Sequence, residues 1–117
     1  YKVQIRGLPD LGQTVGIVDD IKVNPYSYQL YDNFPNPFNP ETQIRFEIGA
    51  QENVQILIYD ILGRQIRYLV NEQYSSGFHV VNWDGTNETG QPVSSGMYIY
   101  LLKAGDYMAD KKMLFVK

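Results

Sequence analysis

Alternation of apolar and polar side chains is the feature that most constrains the fold of this chain. In residues 42–48 the apolar side chains are those of Ile44, Phe46 and Ile48, with charged residues between them. A period of two fits a β-strand, in which successive side chains point to opposite faces. Glycine-bearing turns separate the segments that show this pattern. The alternation therefore predicts antiparallel strands joined by short connections.

The same alternation recurs through the rest of the chain. A short candidate strand at 29–31 precedes six segments, at 42–48, 53–59, 65–70, 78–84, 97–103 and 107–116. Repeated short strands with almost no helical periodicity predict an all-β protein, an immunoglobulin-like antiparallel β-sandwich of about seven strands. The chain has no cysteine, so it lacks the Cys…Trp…Cys spacing of antibody-type domains. We expect Trp83 to anchor the core instead.

Composition divides the chain into three parts. Residues 31–117 form the predicted sandwich, and residues 24–30, which begin with Asn-Pro, are predicted to be a linker. Residues 1–23 contain two further strand candidates. Two strands alone are marginal as a sheet. We therefore expect residues 1–23 to be either the tail of a preceding β domain or extra strands of the sandwich.

Charge and hydropathy argue against several classes of partner. The formal net charge is −3, so no broad basic field favours nucleic acid or an anionic membrane. No run of about 18 apolar residues is present, and we expect no transmembrane segment. The lack of cysteine also excludes a disulfide framework and thiolate metal sites.

Few residues suit catalysis. His79 is the only histidine, and it alternates with Val81 and Trp83, which is typical of a packed strand residue rather than of a general base. The segments YSSGF and VSSGM lack the strand–elbow–helix context of a nucleophilic serine. They are predicted to be hairpin turns in which Gly77 and Gly96 adopt unusual backbone angles. No glycine-rich phosphate loop leads into a helix. We expect no enzyme activity, no catalytic residue and no cofactor.

Two acidic clusters offer the hard oxygen donors that calcium prefers. They are Asp19 with Asp20, and Asp84 with Asn87 and Glu88. Neither cluster has the D-x-[DN]-x-[DN]-G spacing of a calcium loop, so we expect solvated turns and no metal site. The second cluster also contains an N-x-T sequon, which matters only in a host that glycosylates asparagine.

A group of tyrosines leaves two interpretations open. Its members are Tyr59, Tyr68, Tyr98, Tyr100 and Tyr107. An exposed stripe of such rings would suit the faces of sugars. Tyr98 and Tyr100, however, share one face of a predicted strand, and one of its two faces must form the core. Packing within the core or across strands is the simpler account.

Five segments together carry a family resemblance. They are YQLYDNFPNPFNPETQIRFEI (28–48), VQILIYDILGRQIRYLV (54–70), GFHVVNWDG (77–85), GQPVSSGMYIYLLKAGD (90–106) and KKMLFVK (111–117). In this order they resemble the type A C-terminal sorting domain of the type IX secretion system. They are also similar to the immunoglobulin-like domain of flagellar hook-capping proteins. The departures are Asp32, where the family usually has Gln, and residues 49–53, where it usually has a Leu-Pro turn.

The resemblance implies a function in protein export. In that family the cargo crosses the inner membrane by its signal peptide, and the outer-membrane translocon then recognises the folded C-terminal domain. A surface sortase removes the domain and attaches the cargo to lipopolysaccharide or releases it. The chain would then be a non-catalytic secretion signal whose partners are the translocon, the sortase and an upstream cargo. Its location would be the periplasm in transit, then the cell surface or medium, with cleavage in the 24–30 linker.

Residues 33–40, which we call the strap, are proline-rich. Prolines cannot donate ladder hydrogen bonds, and the three in the strap predict an extended polyproline-like path. We expect Phe34 and Phe38 to anchor this path on the flank of the sandwich, and the asparagines to satisfy backbone groups. Such a strap would cover a sheet edge.

Translocon recognition is predicted at the strap and at the C-terminus. The candidate residues are Pro35, Asn36, Pro37 and Phe38 in the strap, with Lys111, Lys112, Met113, Phe115 and Lys117 in the last strand. For the strap, the alternative is a stiff cover over the core. For the last strand, Met113 and Phe115 can point inward. The lysines then either guard a solvated edge or dock on a receptor, and docking is favoured because a terminal strand is accessible.

Two other functions share the predicted fold. One is an accessory immunoglobulin-like module that binds carbohydrate or packs on a neighbouring enzyme domain, which exposed tyrosines beside a calcium loop would indicate. The other is a hook-cap-like assembly domain, which defined oligomers would indicate.

Overall fold

The computed structural model of the chain describes residues 26–117. Within that range the chain forms β-strands and irregular connections. The strands are β1 (Gln29–Leu30), β2 (Thr42–Ile48), β3 (Glu52–Asp60), β4 (Gln65–Tyr74), β5 (Gly77–Trp83), β6 (Gly96–Ala104) and β7 (Tyr107–Phe115). The strand candidates of residues 1–23 and the start of the 24–30 linker lie outside the described residues.

The strands make two antiparallel sheets that face each other. One sheet has three strands in the order β1-β2-β5, and the other has four in the order β4-β3-β6-β7. β3 and β4 form a hairpin, as do β6 and β7. The predicted immunoglobulin-like antiparallel β-sandwich of about seven strands is confirmed.

The alternation of apolar and polar residues in the sequence matches the alternation of buried and less buried residues in the structure. Ile44, Phe46 and Ile48 of β2 are fully buried, and every second residue between them is exposed or half-buried. β6 shows the same alternation, and so does β3 except at Leu57, which is also buried; the inward residues of both strands meet those of β2 and β5 between the two sheets. Trp83 is fully buried at the end of β5. Burial of this apolar surface, worth about 25 cal/mol per Å², is the main stabilising contribution to the sandwich.

Two predicted turns have a different role in the structure. YSSGF connects β4 in the four-stranded sheet to β5 in the three-stranded sheet, and VSSGM precedes β6 after the chain has crossed back. They are therefore connections between sheets, and the prediction of hairpins is wrong. Turn chemistry is local, whereas the choice of pairing partner depends on the whole sheet. Gly77 and Gly96 do have the expected positive φ angles, of 127° and 153°.

Strand ends also differ from the sequence prediction. β4 continues to Tyr74, four residues beyond the predicted end, because Asn71, Glu72 and Gln73 pair in register with β3. Because those three side chains are all polar, the alternation of apolar and polar residues does not indicate that the strand continues. At the other end of the fold, Gln29–Leu30 pairs with Glu47 and Phe46 of β2. Within the described residues, the first strand of the sandwich is therefore Gln29–Leu30, inside the segment predicted as a linker.

Candidate functional site

The strap joins the two sheets of the sandwich. The backbone of Phe34 exchanges two hydrogen bonds with Gln43 of β2, at 3.0 and 2.8 Å. Four residues later, the amide of Phe38 donates to the carbonyl of Leu114, and its carbonyl accepts from the amide of Val116, both at 3.0 Å. The strap thus pairs with β2 in one sheet and with the end of β7 in the other. It covers the edge of β7 there, as expected from the sequence.

Two expectations for the strap are wrong. Its path consists of bends between the bridge residues Phe34 and Phe38 rather than a continuous polyproline-like extension. Phe34 does not anchor the strap, because its side chain is 65% exposed. Residues paired across strands share a face, and its partner Gln43 lies on the outer face of β2.

Phe38 is the anchor of the strap. Its ring is 1% exposed and lies 4.9 Å from the ring of Phe115 and 5.6 Å from that of Trp83, between centroids. Ring pairs at these separations add to the stabilisation that burial gives. Phe38 therefore belongs to the core, and in the folded domain its side chain is not accessible to a receptor.

Asparagines of the strap satisfy backbone groups, as expected. The side-chain oxygen of Asn36 accepts a 3.0 Å hydrogen bond from the amide of Leu114. The buried Asn33 side chain donates to the carbonyl of Pro35 at 3.1 Å and to the hydroxyl of Thr42 at 2.9 Å. Thr42 in turn donates to the Pro35 carbonyl at 2.9 Å. The bends of the strap are thus held by side chains.

Side chains of β7 alternate between the core and solvent. Met113 and Phe115 point inward, at 1% and 3% exposed, whereas Lys112 and Lys117 are exposed. Lys111 is half-buried, with its Nζ 3.3 Å from a carboxylate oxygen of Asp32. Of the predicted recognition residues, the structure leaves five with exposed side chains: Pro35, Asn36, Pro37, Lys112 and Lys117. Their role in recognition stays a prediction.

Among the strands of residues 26–117, none lies beside part of the β7 edge. Backbone groups of Leu114 face the strap, and in an antiparallel pair such outward groups recur at every second residue. Those of Met108, Asp110 and Lys112 therefore also point away from β6. Among residues 26–117, no strand or bridge residue pairs with this part of the edge.

His79 is a packed residue, as predicted. Its ring lies between Phe46 and Tyr74, at centroid distances of 5.5 and 4.7 Å. Its Nε2 is 2.7 Å from the carbonyl oxygen of Ser75. These contacts give His79 a structural role.

The acidic cluster that follows Trp83 forms turns. Asp84 accepts a hydrogen bond from the amide of Thr86 at 3.2 Å, and Arg67 lies 3.7 Å from its carboxylate. The side-chain oxygen of Asn87 accepts from the amides of Thr89 and Gln91 at 3.1 and 2.9 Å. These oxygens are already used, as in Asx turns. No group of three potential metal ligands occurs within the described part of the chain, and Asp19 and Asp20 lie outside it.

Tyr98 and Tyr100 belong to the core, as the simpler account predicted. They are 5% and 0% exposed, and the ring of Tyr98 packs 5.6 Å from that of Trp83. The hydroxyl of Tyr100 donates a 2.7 Å hydrogen bond to the carbonyl of Tyr31. Burial raises the pKa of Tyr100 to about 12. These rings therefore offer no flat surface to a sugar.

The turn between β3 and β4 was missed by functional analysis of the sequence. Asp60 holds it: its carboxylate accepts from the amides of Leu62 and Arg64, both at 2.9 Å, and from Arg64 Nε at 2.7 Å. These hydrogen bonds lower the pKa of Asp60, with the Arg64 amide as the largest cause. Ile61 and Leu62 stand at the tip, 68% and 75% exposed. The sequence feature that could have indicated this exposed apolar turn is the pair of consecutive aliphatic residues within it.

The fold and its strap define an immunoglobulin-like β-sandwich module. The model of the FlgD Ig-like domain family matches residues 36–106, which is more than half of the chain. The chain therefore belongs to the FlgD Ig-like domain family. No curated protein matches it significantly. Within residues 26–117 there is no helix long and apolar enough to span a membrane.

Two solved structures from Porphyromonas gingivalis share the fold. Dimeric latent PorU is 24% identical, with a TM-score of 0.62, over 86% of this chain and 10% of that chain. PorZ, described as an essential bacterial surface component of the type IX secretion system, is 20% identical, with a TM-score of 0.52, over 75% of this chain and 11% of that chain. This chain therefore spans about a tenth of the length of either protein.

Proposed function

We propose that the chain is a type A C-terminal sorting domain, a non-catalytic signal that directs an upstream cargo across the outer membrane through the type IX secretion system. The observation that carries the proposal is the arrangement of β7. Its inward residues Met113 and Phe115 fix the strand in the core, while Lys112 and Lys117 are exposed. A receptor can thus reach the end of the folded domain. The shared fold with PorZ, a type IX surface component, supports the same system.

The proposal includes a translocon and a sortase as partners. The domain would cross the periplasm folded and reach the cell surface or medium with its cargo. Cleavage is proposed N-terminal to Gln29, because Gln29–Leu30 already pairs with β2 and Leu30 is buried. A protease needs extended, accessible backbone, and the sandwich itself does not offer it.

An export assay tests this proposal. Residues 1–117 are fused behind a signal peptide and a fluorescent reporter in a bacterium with working type IX machinery. We expect the reporter at the surface or in the medium, and we expect Lys112→Ala with Lys117→Ala to retain most of it in the periplasm. Lys103→Ala, which replaces a half-buried lysine of β6, is the control substitution. Periplasmic retention of the unmodified fusion would refute the export function.

A second function, assembly, is favoured by the family match to the FlgD Ig-like domain. Sedimentation equilibrium of the purified chain separates the two functions. A sorting domain should sediment as a monomer of 13.5 kDa, whereas an assembly domain should give a defined oligomer. Two of the five tyrosines behind the carbohydrate-binding alternative, Tyr98 and Tyr100, are buried and cannot contact a sugar.

A further inference from the structure

Four exposed apolar side chains gather at the end of the sandwich that holds the C-terminus. Ile61 and Leu62 are 68% and 75% exposed, Met97 is 42% exposed and Val116 is 45% exposed. We call these four residues the end patch. A groove of about 390 Å³ lies between the β3–β4 turn and the start of β6, and Ile61, Leu62 and Met97 line it. Clustered exposure of this kind is typical of an interaction surface, whereas isolated exposed apolar residues are common.

The end patch is continuous with the C-terminus. Met97 pairs in register with Leu114, so the two side chains share the outer face of the sheet. Val116 follows two residues later, directly after the end of β7, and is 45% exposed. The amide of Lys117 donates a 2.9 Å hydrogen bond to the hydroxyl of Ser95, which lines the groove. A receptor that approaches the last residues of the chain therefore meets this surface as well.

The β3–β4 turn holds the patch in one conformation. The three hydrogen bonds to the Asp60 carboxylate close the turn, and Gly63 at φ 85° completes it. These bonds hold the backbone on which Ile61 and Leu62 are exposed. A surface that is already ordered loses little conformational entropy on binding, which favours affinity.

The groove lining carries no net charge, because Asp60 and Arg64 form an ion pair, but the exposed member of that pair is the cation. Among the described residues that line the groove, Asp60 is the one acidic residue; its side chain is 12% exposed, and its carboxylate accepts hydrogen bonds from Arg64 and two backbone amides. The Arg64 side chain is 74% exposed, and Lys117 is exposed at the adjoining chain end. Charge complementarity then favours a partner whose apolar centre has carboxylates at its rim.

We propose that the end patch is the surface by which the domain docks on the translocon, and that the translocon contributes an apolar surface rimmed by carboxylates. The proposal rests on the proposed export function and assigns it to a specific surface. Lys117 then acts as a rim cation of an apolar interface, and the strap positions β7.

The export assay with the whole chain tests the end patch. Leu62→Ser with Met97→Ser removes two exposed apolar side chains, and we expect at least a tenfold loss of exported reporter. The matched control is Phe78→Ser with Val80→Ser, which are 53% and 45% exposed on the other sheet, and we expect it to be exported normally. Lys117→Glu reverses a rim charge and should also reduce export.

Each outcome decides between the proposals. Normal export of the double end-patch variant overturns the inference, and so does equal retention of the control, which would indicate a general need for surface hydrophobicity. If the unmodified fusion is not exported, the export function fails first and the inference fails with it. Thermal unfolding of the purified variants, followed by Trp83 fluorescence, checks that they fold. If the double variant does not fold, Leu62→Ser alone, at a 75% exposed position, takes its place in the export assay.

Discussion

At the scale of single residues, Tyr100 shows how the chain before β2 is fixed to the second sheet. Its ring is fully buried in β6, and its hydroxyl reaches the carbonyl of Tyr31 at 2.7 Å. The carbonyl belongs to the segment between β1 and the strap. One hydroxyl group therefore ties the approach of the strap to the four-stranded sheet.

Replacing Tyr100 with Phe should lower stability by about 1 kcal/mol at pH 7, the usual net contribution of one hydrogen bond. The pH dependence follows from the raised pKa. Below pH 10 the hydroxyl is protonated in both states, so its stabilising contribution is fully present. Between pH 10 and about 12 only the unfolded state ionises, and stability falls as pH rises. Tyr100→Phe lacks this loss, so its deficit should shrink above pH 10 in urea unfolding experiments.

A matched control for this variant is Tyr59→Phe, which alters a half-buried tyrosine on the outer side of β3. It should change stability by less than about 0.5 kcal/mol at pH 7, as surface substitutions usually do. A deficit of Tyr100→Phe that stays constant from pH 7 to pH 11 would contradict the role assigned to its burial.

At the scale of elements, the strap contributes to stability through one ring. Phe38→Ala removes a 1% exposed side chain from its contacts with Trp83 and Phe115, and we expect a loss of about 3–5 kcal/mol. Phe34→Ala, in the same motif at a 65% exposed position, should cost less than about 0.5 kcal/mol. Denaturant unfolding of both variants gives the comparison, and similar losses would refute the assignment of Phe38 as the single anchor.

The same element shows what the sequence could predict. Period-two alternation placed the six longer strands and the inward residues of β2, β3 and β7, because burial on one face imposes that period. It could not separate Phe34 from Phe38, since which ring turns inward depends on pairing with Gln43 and Leu114. Pairing between distant segments also decided that YSSGF crosses between sheets. The end patch was missed because exposure of Ile61 and Leu62 follows from the closed turn at Asp60, which alternation does not encode.

At the scale of the whole molecule, the strap and the last strand close the sandwich together. Phe38 and Phe115 stack at 4.9 Å although the strap lies near the start of the described chain and Phe115 near its end. The strap pairs with β2 on one side and with the end of β7 on the other. Closure therefore needs both segments, and neither is an appendage of a sandwich that is complete without it.

Deletion of residues 113–117 should consequently unfold the domain. It removes Met113 and Phe115, which are 1% and 3% exposed, and each such loss costs about 2–5 kcal/mol. Phe38 also loses its backbone partners. The total approaches the whole stability of an ordinary domain, about 5–15 kcal/mol.

Circular dichroism should show loss of β structure in the deletion, whereas Lys112→Ala with Lys117→Ala should keep it. A deletion that remained folded would mean that β7 is dispensable for closure. If it unfolds as expected, an export defect after C-terminal truncation reports loss of the fold, and only substitutions at exposed positions can report loss of a signal.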